Sequence, residues 1–352
     1  MVVCVTGFGW SGSGAAFDLL REYSDINIVD NAGFDWEFYL LHDADGIYDL
    51  EHKLLVKHNR IGDSDIAINR FIHLVRAYSK KMGYEKIFHG QFLKLSEKYV
   101  NELIDFQWYG RTFYDIIYPA RFERIAGIYN RVINRLFGNR IILKYYGLGL
   151  KNRFSWRIKH LMRISYQPDN FLEITREYLR SLIDIAHKNK ENPIVFDQIF
   201  PPDCPQLFFK YVDNPKCIIV RRDPRDTYLL AKKAYGSSIP IPVQNVDDFI
   251  LFYKKVILDT YLQDDDNILS LQFEDLIYQY DKTVLKIEQF LGIKDHSCPK
   301  SFFNPVVSMN NTCLYEYYTD YSEDIEKIKM ALPQALYPFE KYRRGNRFKT
   351  IF

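Results

Sequence analysis

The sequence predicts an α/β fold of three α/β/α layers, in which helices flank a central, mostly parallel sheet and a large helical insertion interrupts the core. A β-branched run, a glycine-rich loop and a helix follow one another over residues 2–20, and β-branched runs return after residue 194. Between them, residues 65–190 show long helical stretches with few glycines. We therefore divide the 352 residues into a first part of the α/β core (1–64), the insertion (65–190) and a second part of the core with a C-terminal segment (191–352).

The individual elements are predicted from composition and from the residues that bound them. In the first part, Val2–Thr6 forms a strand, a helix extends to about Tyr23, and Ile26–Asp30 forms a second strand, as in a βαβ unit. The second part contains three strands and two helices, bounded mainly by Pro, Asp, Asn or Gly: strands at Ile194–Phe196, Cys217–Val220 and Asn267–Leu271, and helices at Thr283–Leu291 and 322–332.

The bulk composition restricts the class of protein. Hydrophobic residues make up 47% of the chain and the formal net charge is +2, which argues against a disordered chain and against a nucleic-acid partner. The five cysteines form no C-x-x-C pair, as expected for thiols in a reducing compartment. The first strand begins at residue 2, and no apolar run reaches the roughly 18 residues of a membrane span. We expect a cytoplasmic protein without a transmembrane segment.

The glycine-rich loop that follows the first strand has the form of an anion site. The glycines allow a ligand to approach the backbone closely, and the start of the next helix leaves N–H groups unpaired. Gly7 and Gly12 match the spacing of a Walker A loop, but Ser13 stands in place of its lysine and Gly14 in place of its hydroxyl residue. The missing lysine argues against ordinary ATP or GTP hydrolysis.

A second anion site is predicted after the strand at Cys217–Val220. Arg222 leaves the end of this strand, and a guanidinium there can donate two hydrogen bonds to a phosphate or carboxylate. Asp223 is placed to cap the next helix and Pro224 to occupy its first turn. The alternative interpretation is a structural salt bridge at this turn.

Taken together, the two segments resemble the sulfotransferases that use 3′-phosphoadenosine 5′-phosphosulfate (PAPS), in particular the bacterial carbohydrate type. In that family a glycine-rich loop holds the 5′-phosphosulfate, and an R-[DN]-P-[RK]-D segment holds the 3′-phosphate. Here the second segment is Arg222–Asp226. The resemblance implies a P-loop-like fold, PAPS as donor, no metal, and donor contacts from Arg222 and the loop residues Gly9, Trp10, Ser11, Gly12, Ser13, Gly14 and Ala15.

Two later segments extend the resemblance. Leu271–Leu276, followed by Ile287–Ile293, is similar to the family's YEDL and FLG region, and Phe303–Asn311 is similar to its S-x-x-N segment. The four segments occur in the family's order over residues 1–60 and 194–345, whereas the insertion matches no family pattern.

The chain departs from the family pattern at two positions. Trp10 stands where the family has Arg or Lys, and Leu230 stands where it has the serine of the 3′-phosphate site. The cations that could replace the missing charge are Lys232, Arg225 and the segment Arg343–Gly345.

The reaction that the resemblance implies needs a base for the acceptor hydroxyl. Glu37 lies just beyond the second strand, where the family often carries an acid, and aromatic neighbours would raise its pKa towards neutrality. Asp197, at the end of the strand before Phe200, is the second candidate. Because some members use a histidine, His58 and His89 also stay open. The alternative for each is a structural or surface role.

The insertion is the predicted site for the acceptor. Residues 111–163 contain twelve Lys or Arg and two acids, which suits an anionic partner as well as a solvated helical surface. Its aromatic residues suit core packing as well as stacking on sugar rings: Tyr109, Phe113, Tyr114, Tyr118, Tyr145 and Tyr146.

Together these features favour an enzyme that transfers a sulfuryl group to a hydroxyl or amine of an acceptor. A glycan fits the insertion better than a small hydroxyl compound. Two alternatives stay open: a P-loop kinase acting on a small molecule or glycan, and a non-catalytic nucleotide-binding protein of the same fold.

Overall fold

The computed structural model describes residues 1–29, 37–56, 61–110, 135, 160–235, 241–259 and 265–342. Seven strands are numbered in chain order: β1 (Val2–Gly7), β2 (Asn27–Ile28), β3 (Phe106–Gly110), β4 (His160–Ile164), β5 (Ile194–Asp197), β6 (Pro215–Arg221) and β7 (Ile268–Gln272).

The α-helices of the described residues are likewise numbered in chain order: α1 (Ser13–Leu20), α2 (Ile47–Glu51), α3 (Ile61–Lys81), α4 (Tyr84–Ile87), α5 (Phe92–Leu103), α6 (Phe171–Ala186), α7 (Gln206–Phe209), α8 (Pro224–Tyr235), α9 (Val246–Phe252), α10 (Phe273–Tyr278), α11 (Tyr280–Leu291), α12 (Pro305–Ser308), α13 (Ser322–Ala331) and α14 (Phe339–Tyr342). Within the described residues, two segments are π-helical, His52–Val56 and Tyr253–Leu258. Four short turns of the same residues are 3₁₀-helical, Met309–Asn311, Leu314–Glu316, Thr319–Tyr321 and Pro333–Ala335. Among the described residues, no helix combines the length and the apolar character needed to cross a membrane.

Five strands form a parallel sheet in the order β2-β5-β1-β6-β7. In the register of β1, Val2 lies opposite Ile194 on one side and opposite Pro215 on the other. The central strands contain runs of consecutive buried apolar residues, Val2–Val5 in β1 and Cys217–Val220 in β6, rather than an alternating pattern. The predicted α/β class with a mostly parallel central sheet is confirmed.

Successive residues of β1 contribute to two different apolar clusters. Val3 and Val5 pack with residues of α1, α10 and α11, whereas Val2 and Cys4 pack with residues of α3, α5, α6 and α8. Successive side chains of a strand point to opposite faces of a sheet. The two faces of β1 therefore contribute to two different apolar clusters.

The range 65–190 contains a feature that the sequence analysis did not predict. β3 and β4 pair antiparallel, with Phe106 opposite Ile164 and Gly110 opposite His160. The aromatic residues of β3 favour a strand. The two paired segments are far apart in the chain, so no local turn sequence predicts their pairing. The insertion is therefore not wholly helical: α3, α5 and α6 accompany this two-stranded sheet.

Candidate functional site

The predicted site residues lie at the carboxyl ends of the parallel strands. The glycine loop leaves the carboxyl end of β1, Arg222 leaves that of β6, and Asp197 ends β5. The backbone N–H of Phe38 donates to the Asp197 carbonyl at 2.8 Å, which places Glu37 beside the same strand end. Open α/β sheets bind their ligands at this edge. The structure therefore brings both anion segments and both candidate bases to one side of the sheet.

The backbone of the glycine loop has a shape that depends on Gly12. Gly12 has φ +83°, and a Cβ added there would lie 2.5 Å from the ring of Phe273. The Ser11 N–H donates to the Phe8 carbonyl at 2.8 Å, which closes the turn before α1. No side chain caps α1 and no acid lies in its first turn, so the N–H groups of Ser13 and Gly14 are available to an anion, whereas that of Ala15 donates to the Gly12 carbonyl.

Trp10 adopts a conformation that bulky residues rarely take. Its φ is +64°, in the left-handed region that favours glycine. Residues in such conformations cost about 1–3 kcal/mol and cluster at ligand-binding loops. The indole packs against the apolar cluster that includes Val2 and Cys4, and this packing helps to hold the loop.

The guanidinium of Arg222 contacts the other three segments that carry the family resemblance. Its Nη1 donates to the carbonyl of Trp10 at 3.2 Å, and its Nη2 donates to the carbonyl of Asn311. The ring of Phe273 lies 4.7 Å from the guanidinium carbon, in a cation–π contact. Arg222 is only 4% exposed, and the Tyr253 hydroxyl donates to its carbonyl at 2.8 Å.

The structural salt bridge considered for this turn is formed by Arg225 rather than by Arg222. Asp223 accepts from the backbone N–H of Arg225 at 2.8 Å, as a helix cap does, and from its Nη2 at 2.6 Å. The Arg225 guanidinium also lies over the ring of Tyr315 at 4.6 Å. Lys232 is engaged with Tyr228 and Asp324. Both cations considered as replacements at the loop thus have other partners, and Arg343–Gly345 lies outside the described residues.

Four buried polar atoms on the residues around Arg222 have no hydrogen-bond partner among the described residues: Ser11 Oγ, Arg222 Nε, Glu274 Oε2 and Asn311 Oδ1. Buried polar atoms in native proteins are nearly always hydrogen-bonded, and a cluster of exceptions calls for a local explanation. A polar ligand held between the glycine loop and Asn311 would satisfy donors and acceptors of this kind.

Three buried carboxylates surround Arg222 and Arg225: those of Asp223, Asp226 and Glu274. Burial, together with the charge of Asp223, raises the pKa of Glu274 to about 8 and that of Asp226 to about 7. Asp226 accepts from the backbone N–H groups of Cys313 and Leu314, each at 2.7 Å. With Glu274 and Asp226 protonated, the cluster carries a net positive charge that favours an anion. With both ionised, the net charge is negative.

The pKa of Glu274 predicts a pH-dependent stability. Between its usual value of 4.5 and about 8, the folded state holds a proton that the unfolded state has lost. The contribution is therefore fully present below pH 4.5 and is lost as the pH rises through 8. Relative to Glu274→Gln, the wild type should lose on the order of 5 kcal/mol of unfolding free energy across this range. Urea denaturation of both proteins at several pH values measures the difference, and parallel pH profiles would contradict the prediction.

The two candidate bases lie in a group of tyrosine and histidine side chains. The Tyr39 hydroxyl donates to the Glu37 carboxylate, and the Tyr84 hydroxyl donates to the Glu37 carbonyl at 3.1 Å. Burial and the hydrogen bond to Glu37 raise the pKa of Tyr39, and the negative charge of Asp197 raises it further. The Tyr39 hydroxyl therefore keeps its proton. Glu37 and Asp197 therefore share one electrostatic environment.

Sequence reasoning missed His42, which lies in the same group. Its Nε2 is 2.7 Å from the carbonyl of Gln198, and burial lowers its pKa, so the imidazole is neutral at pH 7. The Nε2–H therefore donates to this carbonyl. No motif surrounds His42, so the sequence carried no signal for it. Of the histidines that were considered, His89 is exposed beside α4 and His58 lies outside the described residues.

Most of the predicted acceptor region also lies outside the described residues, including Phe113, Tyr114, Tyr118, Tyr145 and Tyr146. Tyr109 is described in β3 and is 69% exposed, so it is not a core residue there.

Neither a protein-family model nor a curated protein sequence matches this chain. The contacts around Arg222 are therefore the basis on which a function can be proposed.

Proposed function

We propose that the protein is a PAPS-dependent sulfotransferase that modifies a hydroxyl or amine of a carbohydrate. One observation carries the proposal: the guanidinium of Arg222 contacts the glycine loop at Trp10, the YEDL-like segment at Phe273 and the S-x-x-N-like segment at Asn311. These segments are far apart in the chain. Their contacts with Arg222 bring the two predicted anion segments together, as the binding of one nucleotide with phosphates at both ends would require.

The proposed fold is a P-loop-like arrangement of three α/β/α layers. The separate clusters of β1, one with α1, α10 and α11 and the other with α3, α5, α6 and α8, support it. The strand order, with β1 between β5 and β6, supports it as well, because the glycine loop then opens beside the ends of two neighbouring strands.

The contacts around Arg222 support a role in donor binding for each of these residues. PAPS supplies the sulfuryl group when bound. The N–H groups of Gly12, Ser13 and Gly14, at the start of α1, bind the 5′ phosphosulfate, and the guanidinium of Arg222 binds the 3′-phosphate. Ser11 Oγ, Arg222 Nε and Asn311 Oδ1 are the unsatisfied atoms that fit such a ligand. In the transfer, the bond from sulfur to the acceptor oxygen forms as the bond to the departing phosphate oxygen breaks.

The geometry also offers a reason why the loop can lack its own cation. Where the family has Arg or Lys, Trp10 presents a backbone carbonyl that accepts from Arg222. The positive charge of Arg222 therefore lies directly against the loop at this position. In a buried site of low dielectric, one charge placed in this way stabilises a developing negative charge strongly.

Glu37 is the proposed base that takes the proton of the acceptor hydroxyl. Glu37→Gln should lower kcat by about 10²–10⁴-fold while nucleotide affinity stays unchanged, because only proton transfer is lost. Transfer from radiolabelled PAPS to a panel of glycans measures the rate, with Glu102→Gln on α5 as the matched control. If Glu37→Gln keeps full transferase activity and Asp197→Asn loses it, the base is Asp197 and not Glu37.

Nucleotide binding tests the function itself. Calorimetry should show that 3′-phosphoadenosine 5′-phosphate binds much more tightly than 5′-AMP, because Arg222 needs the 3′-phosphate. Equal binding of the two nucleotides would contradict the proposal. Tight, magnesium-dependent ATP binding would instead favour the kinase, and binding of PAPS without transfer to any acceptor would favour the non-catalytic protein.

A further inference from the structure

A cavity of about 230 Å³ lies in the insertion, between α3, α5 and β4. We name it the α3–α5 cavity. None of its lining residues belongs to the glycine loop or to the segments that meet at Arg222. It is therefore separate from the proposed nucleotide site.

The floor of the α3–α5 cavity is apolar. Phe71, Val75 and Val100 line it, and each is at most 3% exposed. Ile72 and Leu93 are half-buried lining residues of the same kind. A floor of this composition favours the apolar body of a ligand over water.

Two arginines, Arg76 and Arg163, line the same cavity. The Arg163 Nη1 donates to Asn69 at 3.0 Å, and Arg76 is exposed at the surface of α3. Within the described part of the chain, neither guanidinium forms an ion pair with a carboxylate. Two like charges that line one cavity repel each other, and an anion bound near both would offset this repulsion. Their remaining N–H donors are suited to a carboxylate.

Glu97 is the one carboxylate among the residues that line the cavity. Two positive charges and one negative charge leave the lining net positive. A cation would therefore be repelled, whereas an anion would gain from Arg76 and Arg163 and lose a smaller amount to the exposed Glu97.

We propose that the α3–α5 cavity binds a small organic anion with an apolar body, such as an aryl carboxylate of about ten non-hydrogen atoms. The ring lies on Phe71, Val75 and Val100, and the carboxylate accepts hydrogen bonds from Arg76 and Arg163. This site goes beyond the proposed transfer reaction, because no part of it depends on nucleotide binding.

The first experiment compares a charged probe with a neutral one. Ligand-observed NMR and calorimetry should show that 2-naphthoate binds to the full chain and that 2-naphthamide binds at least about tenfold more weakly. Arg76→Gln should weaken 2-naphthoate binding about tenfold. Lys81→Gln, which removes one positive charge from the same helix outside the cavity, should leave it unchanged. Equal binding of the two probes, or equal effects of the two variants, would overturn the proposal.

The second experiment tests the location and the sign of the charge. Val75→Phe fills the floor and should abolish binding. If it fails to fold, Ile72→Trp obstructs the half-buried wall of the cavity and serves the same purpose. Glu97→Gln should tighten binding several-fold, because it removes the repelling carboxylate. Weaker binding in Glu97→Gln, or unchanged binding in a folded cavity-filling variant, would overturn the proposal. Calorimetry with 3′-phosphoadenosine 5′-phosphate on the same variants should be unaffected, which separates this outcome from failure of the proposed function.

Discussion

Replacing Arg222 by Gln is expected to lower the affinity for 3′-phosphoadenosine 5′-phosphate by at least about a hundredfold. The guanidinium is the buried cation at which the glycine loop, Phe273 and Asn311 meet. Gln removes the charge and the forked donor geometry, so the phosphate loses its charge-assisted hydrogen bonds. Arg222→Lys keeps the charge but loses the fork, and its affinity should fall between the two. Titration calorimetry on all three proteins measures the series.

The control for this series must separate binding from folding. Because Arg222 is 4% exposed, its loss also removes two buried hydrogen bonds to the carbonyls of Trp10 and Asn311, and the melting temperature should fall. Arg180→Gln removes an exposed guanidinium that pairs with Asp213 and should leave nucleotide affinity unchanged. A folded Arg222→Gln protein that binds the nucleotide as tightly as the wild type would refute the role of Arg222.

Replacing Glu22 by Ala is expected to lower the free energy of unfolding by about 3–5 kcal/mol. Glu22 is 1% exposed and lies two residues after the end of α1. It accepts four hydrogen bonds from the chain between α11 and α12: from the backbone N–H groups of Lys300, Phe302 and Phe303, and from His296 Nε2, at 2.8–3.0 Å. In Glu22→Ala these donors lose their acceptor, and urea denaturation measures the cost.

The pH dependence of this contact has a fixed sign. Burial alone would raise the pKa of Glu22, but the hydrogen bonds from His296 and the backbone lower it below its usual value of 4.5. The stability that Glu22 contributes is thus present above pH 4.5 and is lost as the pH falls through the lowered value. Glu326→Ala, at an exposed pair with Lys329, is the control. If Glu22→Ala lowers the free energy of unfolding by less than about 1 kcal/mol, these hydrogen bonds are not needed for stability.

The predictable parts of the fold are those whose signals are local. The apolar run Cys217–Val220 lies within β6, and the helix predicted up to Leu291 ends there, at Gly292 in the left-handed conformation. The pairing of β3 with β4 and the short length of β2 depend on distant partners. Local propensity carries no information about them.

The sequence allowed the individual segments of the candidate site to be predicted, but not the contacts between them. The sequence indicated the glycine loop and Arg222 as separate anion segments, and the structure places both at one edge of the sheet. It could not show that Arg222 donates to Trp10 and Asn311, or that Arg225 forms the salt bridge instead. His42 and the α3–α5 cavity also escaped, because each depends on side chains brought together by tertiary packing.

The strand order has a consequence for synthesis of the chain. β1 is completed early, yet its neighbours in the sheet are β5 and β6, with Val2 opposite Ile194 and Pro215. Until the ribosome has made those strands, the run Val2–Thr6, which is wholly buried in the sheet, has no native neighbour to pair with. Unpaired apolar strands on incomplete chains associate with one another. Recombinant yield should therefore depend on chaperone supply and translation speed, even where the finished protein is stable.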